Sequence, residues 1–258
     1  MATSWHEHSA LAVPGHARRA NETSPHRLLV GASPGTTGTM SLYRALVAIG
    51  VSAVHYSREF NATSGLERTT YGESPPGGPV PLLRPLFADS HPAPPVDLAT
   101  ARAADLRFLA ATDALLDTPS MEIFYDVLAT FPNARVVITL RDPLQWATSR
   151  RARHPTDRTP LFHLLGFEAP LGAVSEAQAA AALALWHKAA AASVPPERLL
   201  VLDLFSTPSD LLWRQLCDFL DRPLPRDPGS SDGRLPPFPH ERYGDDVQQH
   251  FMSAAAAA

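Results

Sequence analysis

At 258 residues, 45% of them hydrophobic and 19% charged, with a formal net charge of −4, the chain can bury one sizeable core and at most a small cap. That balance gives no reason to expect nucleic-acid binding. Lys188 is the only lysine, which excludes mechanisms that need a lysine in a glycine-rich loop, and the single cysteine, Cys217, excludes an intramolecular disulfide framework.

Residues 1–26 read as a flexible leader without the apolar segment of a signal peptide, and no apolar run is long enough to span a bilayer. A cytoplasmic protein is the expectation. Leu28-Leu29-Val30 reads as a buried strand, and Gly31 to Thr39 as a glycine- and threonine-rich turn. Met40, Leu42, Leu46, Val47 and Ile49 then follow close to helical spacing, with Gly50 as the C-cap. Val51 to Tyr56 reads as a second short strand. Residues 57–98 are polar and then rich in proline and glycine, a long connection of the kind that is usually functional or disordered, with one short ordered piece at 80–87.

Leu98 to Phe108 reads as helical, and Ala110 to Leu116 as its end or a strand. Pro119 suits the first turn of a helix over Ser120 to Phe131. Ala134 to Leu140 is the strongest strand in the chain, β-branched and apolar, and runs into Arg141-Asp142-Pro143 and a helix to about Arg153. A second long connection, 154–174, precedes an alanine-rich helix opened by Ser175. Leu199 to Leu204 reads as a strand, Ser209 to Leu220 as an amphipathic helix, and 241–258 as a polar tail.

Strands alternating with helices, each strand almost continuously apolar, predict an α/β fold: a central parallel sheet between two helical layers. Ligands of such sheets bind beyond the carboxyl ends of the strands. There the sequence places the glycine loop, His55, Asp117 and Arg141. Strand, glycine loop and helix form the usual cradle for a phosphate, although a strand–helix turn with a threonine N-cap and no ligand has the same local pattern. The loop is not a Walker A motif, because Ser33 and Thr39 occupy the first glycine and lysine positions. Arg141 with Ser149 makes a sensible clamp for a second phosphate. The alternative for Arg141 is a local pairing with Asp142.

The stretches Gly35-Thr36-Thr37-Gly38-Thr39-Met40-Ser41-Leu42, Asp117-Thr118-Pro119 and Phe131 to Pro143, with Trp146 and Ser149, resemble the sulfotransferase family. Trp186-His187, Pro196 to Val201, Leu216 to Leu220 and Pro237 to His240 continue the resemblance in order. It covers residues 27–240, read as a single domain with 57–98 and 154–174 serving the acceptor site and its lid. The resemblance implies a P-loop-like nucleotide-binding architecture, 3′-phosphoadenosine 5′-phosphosulfate (PAPS) as co-substrate, and no metal. Gly35, Thr36, Thr37, Gly38, Thr39, Met40 and Ser41 would hold the 5′-phosphosulfate, and Arg141 and Ser149 the 3′-phosphate. The implied reaction is sulfuryl transfer to a hydroxyl or amine of a small-molecule acceptor.

Asp117 is the first candidate for the catalytic base, with helix capping as its structural alternative, and His55 is the second. At Thr36 the family usually carries lysine or arginine. An arginine from elsewhere, Arg44 or Arg58, would have to supply that charge. The alternative to an enzyme is a weakly active or inactive member that binds nucleotide or a protein partner. Neither the acceptor nor the oligomeric state follows from the residues.

Overall fold

The computed structural model describes residues 26–56, 58–69, 81–86, 100, 103–156, 170–227 and 233–240. The expectations for the leader, for much of the two long connections and for the tail lie outside these residues.

Strand β1 (Leu29–Gly31) passes through the glycine loop into helix α1 (Thr39–Ala48), followed by β2 (Ala53–His55). The hairpin of β3 (Arg58–Asn61) and β4 (Leu66–Thr69) comes next. Then follow β5 (Ala114–Leu115), α2 (Phe124–Thr130), β6 (Arg135–Leu140), α3 (Pro143–Arg153), α4 (Glu176–Ala192), β7 (Leu199–Asp203) and α5 (Ser209–Leu220). Short 3₁₀ helices occupy Pro81–Leu86 and Leu106–Ala111.

The seven strands of the described residues form one sheet in the order β4-β3-β2-β5-β1-β6-β7. From β2 to β7 all neighbours are parallel, with Leu29 of β1 in register with Ala114 on one side and Arg135 on the other. The hairpin adds two antiparallel strands at the β2 edge.

Alternation along the strands divides the apolar side chains between two cores, because successive residues point to opposite faces. Leu28, Val30, Val54, Leu115, Val136 and Ile138 face a core filled by Ile123, Phe124, Val127, Trp146, Leu183 and Trp186. Leu29, Ala53, Ala114, Val137 and Leu202 face the other, filled by Leu42, Leu46 of α1 and Leu212, Trp213, Leu216 of α5. Helices therefore cover both faces of a mostly parallel sheet, the three-layer α/β/α architecture. Full burial of side chains the size of Trp146 and Trp213 supplies more than ~2 kcal/mol each before entropy is counted.

Local caps agree with the residue types. Asp142 Oδ1 accepts from Gln145 N at 2.8 Å with Pro143 at the first helical position of α3, and Ser175 and Gln178 form a capping box on α4. Asp142 thus caps its helix and does not pair with Arg141. Three local expectations differ. The start of the 57–98 connection is an ordered hairpin. Helix α2 begins at Phe124 rather than Ser120, because 118–123 forms turns in which Ser120 Oγ donates to Gly31 O and Asp117 O, both at 2.6 Å. Helix α1 has Gly38, not a threonine, at its N-cap.

Candidate active site

The loop after β1 is held by side chains that all address its carbonyl groups. Trp186 Nε1 donates to Ala32 O at 2.8 Å, Thr37 Oγ1 to Pro34 O at 2.7 Å, Trp146 Nε1 to Gly35 O at 3.0 Å and Arg141 Nη1 to Thr36 O at 2.8 Å. Ser33 Oγ both accepts from Thr139 N at 3.0 Å and donates to Thr139 O at 3.2 Å, which ties the loop to β6. With those carbonyls engaged by protein donors, the loop has N–H groups left to offer a ligand.

Thr36 at φ 68° and Gly38 at φ 98° both lie in the left-handed region. Backbone of this kind turns successive N–H groups into a shallow anion-binding concavity. For glycine the conformation is free of strain; for the β-branched Thr36 it costs on the order of 1–3 kcal/mol, an expense that concentrates at functional sites. Gly38 then starts α1 with no side-chain cap and no acidic residue in the first turn. The first intrahelical bond is donated by Leu42 N to Gly38 O at 3.0 Å, so helical geometry gives the N–H groups of Thr39, Met40 and Ser41 no partner within the helix. An uncapped helix start favours an anion. The hydroxyls contribute less than their number suggests: Thr37 is fully buried and shares its Oγ1 with Pro34 and with Thr139 Oγ1 at 2.9 Å.

The two candidate bases come together. His55 Nε2 lies 3.2 Å from Asp117 Oδ2 and 3.1 Å from Thr39 Oγ1, at the first residue of α1. Asp117, at φ 62°, does not cap a helix with its carboxylate; its carbonyl accepts from Ser120 N and Oγ, and its buried Oδ1 accepts no hydrogen bond. Arg141 extends from the end of β6 with its guanidinium 5.2 Å from the centre of the Phe205 ring, and its buried Nε makes no hydrogen bond. Ser149 sits half-buried on α3, and no hydrogen bond joins it to Arg141 among those of the described residues. The structure therefore assembles the loop, His55, Asp117 and Arg141 at one edge of the sheet, while Ser149, on α3, is not bonded to Arg141.

Arg44 and Arg58 turn to a different anion. Both donate to the Glu67 carboxylate of β4, at 2.9 and 3.3 Å, and Tyr43 OH joins them at 3.1 Å. Besides Arg141, the guanidinium that comes up against the loop is that of Arg150, on α3. A Cβ on Gly35 would lie 2.5 Å from Arg150 Nη1 and 3.1 Å from Asp117 Oδ1. Only a glycine admits both groups so close. Residues 146 and 150 share one face of a helix, so the packing that brings Trp146 to Gly35 brings Arg150 there too.

Glu122 was also not anticipated. Thr118 Oγ1 donates to its Oε1 at 3.1 Å. Burial pushes its carboxyl up to about 7; the Asp117 charge adds to the rise and Arg150 opposes it. His187 lies beneath the loop with Nε2 3.4 Å from Ser33 Oγ, and burial pushes it down to about 4. Among the described residues no group of three or more His, Cys, Asp or Glu is placed to hold a metal ion, and no helix is long and apolar enough to cross a membrane.

A family model described as a sulfotransferase domain matches residues 28–167, more than half of the chain. Among solved structures, the chain is similar to the sulfotransferase domain from the curacin biosynthetic pathway, at 18% identity and a TM-score of 0.44, covering 80% of this chain and 76% of that one. It is also similar to sulfotransferase STF9 from Mycobacterium avium, at 13% identity and a TM-score of 0.42, covering 78% of this chain and 65% of that one. Comparison with curated proteins gives no match. The family match runs from β1 through the glycine loop, His55, Asp117 and Arg141 to the end of α3 and beyond, more than half of the chain, and the chain belongs to the sulfotransferase family.

Proposed function

We propose that this chain is an enzyme that uses PAPS to sulfate a hydroxyl or amine of a small-molecule acceptor. The observation that carries this reading is the junction of loop and α1. Its carbonyls are engaged by Trp146, Trp186, Thr37 and Arg141, its helix start is uncapped, and Thr36 and Gly38 turn its N–H groups into a concavity. These features fit the 5′ end of the nucleotide at residues 35–41. The buried, unpartnered Nε of Arg141 fits its 3′-phosphate, with Ser149 as the neighbouring hydroxyl.

When bound, PAPS supplies a sulfuryl group whose bond to the 5′-phosphate oxygen breaks as a bond to the acceptor's oxygen or nitrogen forms, leaving adenosine 3′,5′-bisphosphate. The protein's part is to orient and to move one proton. Asp117 Oδ1, buried and without a partner, takes the proton from the acceptor; His55, 3.2 Å from Oδ2, orients the carboxylate and can share the proton. Loop N–H groups and the start of α1 neutralise negative charge at the 5′ end.

Thr36 favours one second reading, a member that binds the nucleotide without transferring its sulfuryl group. Titration calorimetry with adenosine 3′,5′-bisphosphate on wild type and on Arg141→Ala tests what both share. Binding to wild type, lost or much weakened in the variant, is the expected outcome. A wild type that does not bind removes both readings.

A further inference from the structure

Arg150 stands where the loop sequence has no cation of its own. Its Nη1 is the nearest heavy atom to the space a Cβ on Gly35 would fill, and its Cζ lies 3.4 Å from that point, so the guanidinium reaches in against the Gly35 backbone. Trp146, one turn earlier on the same helix face, fixes how α3 meets the loop by its bond to Gly35 O. Arg141 holds the next carbonyl, that of Thr36, and the Gly35–Thr36 segment therefore lies between two guanidinium groups from the two ends of one helix-bearing segment.

Two arginines, Arg141 and Arg150, reach this segment, beside the carboxylate of Asp117, which lies 3.2 Å from His55 Nε2. Glu122 sits in the same field but burial keeps it largely protonated below about pH 7. The uncapped start of α1 adds partial positive charge of its own. Arg44 and Arg58 share Glu67 instead.

We propose that Arg150 is the side chain that binds the 5′-phosphate end of the nucleotide, so that the basic contact missing from the loop at Thr36 is delivered from α3. This rests on the nucleotide-binding reading above. It makes Arg141 and Arg150 two separate readers of one ligand: Arg141 addresses the 3′-phosphate and Arg150 the 5′ end.

The test is a ligand-truncation cycle by calorimetry, with adenosine 3′,5′-bisphosphate and adenosine 3′-monophosphate titrated into wild type, Arg150→Ala and Arg150→Lys. Wild type should bind the bisphosphate more tightly. Arg150→Ala should lose about 10- to 100-fold in affinity for the bisphosphate, the range for a charged hydrogen bond, while its affinity for the 3′-monophosphate stays at the wild-type value. Arg150→Lys, which keeps the charge without the planar fork, should fall between them. Equal weakening of both ligands by Arg150→Ala, or no weakening of either, overturns the assignment while leaving nucleotide binding in place. Absence of any bisphosphate binding to wild type overturns the reading on which the assignment rests. If Arg150→Ala does not fold, Arg150→Gln carries the same comparison.

Discussion

Glu122 and His187 should give the protein two opposing pH responses that almost cancel, and removing either should expose the other. The Glu122 carboxyl is raised from 4.5 to about 7 in the folded protein by burial. A proton held more tightly by the native state means that its contribution to stability is intact below pH 4.5 and is lost as pH rises through 7. The difference corresponds to about 3 kcal/mol. His187 is lowered from 6.5 to about 4, again by burial. Its contribution has the opposite sign: stability is present above 6.5 and is lost as pH falls through 4, also by about 3 kcal/mol. Between pH 4.5 and 6.5 the two slopes therefore oppose each other. Urea unfolding of wild type and Glu122→Gln, followed by tryptophan fluorescence from pH 4.5 to 8, should show the variant gaining stability relative to wild type as pH rises, by up to about 3 kcal/mol at pH 8. His187→Gln should gain relative to wild type as pH falls. Parallel curves for wild type and Glu122→Gln would refute the argument that burial governs this carboxyl.

Two further changes probe the loop. Gly38→Ala sets a side chain at φ 98° and a Cβ 2.6 Å from Leu204 Cδ1; it should cost roughly 1–3 kcal/mol in unfolding free energy and weaken adenosine 3′,5′-bisphosphate binding in calorimetry. Trp146→Phe removes the indole N–H from Gly35 O while keeping most of the buried ring; a loss of about 1–3 kcal/mol by denaturant unfolding is expected, and a neutral result would mean that the Gly35 carbonyl finds another donor.

The elements most legible in the sequence were those whose residue pattern admits a single solution. The run Arg135–Leu140 is β-branched and apolar on both faces and became strand β6, paired in parallel with β1 and β7, and the spacing within Ser209–Leu220 located α5 to the residue. The hairpin Arg58–Asn61 and Leu66–Thr69 escaped notice because its side chains are charged, largely exposed and without apolar alternation; the cross-strand partners that organise it, Glu67 with Tyr43 and Arg44, are distant in sequence. Arg150 and Glu122 were hidden within the site for a different reason: the sequence does not say which charged side chains the packing of the helices buries. Glycine loop, His55, Asp117 and Arg141 could be read from their places at strand ends, but which guanidinium faces Gly35 depends on how α3 packs against β1. A local pattern carries no record of that packing. Asp117 shows the converse case: its position before a proline allowed a capping role, and the turn at 118–123 delayed the helix and left the carboxylate to His55.

The β3–β4 hairpin also has a bearing on how the protein behaves at high concentration. Without it, β2 would end the parallel sheet as an apolar, buried-type strand with one row of backbone groups unsatisfied, a template for a second chain. The hairpin satisfies that row and moves the border outward to Leu66-Glu67-Arg68-Thr69, four residues long and charged in the middle. A short strand with a carboxylate and a guanidinium at its centre is a poor surface on which to extend a sheet, so the Glu67 cluster that anchors it to α1 also serves as protection against edge-to-edge aggregation.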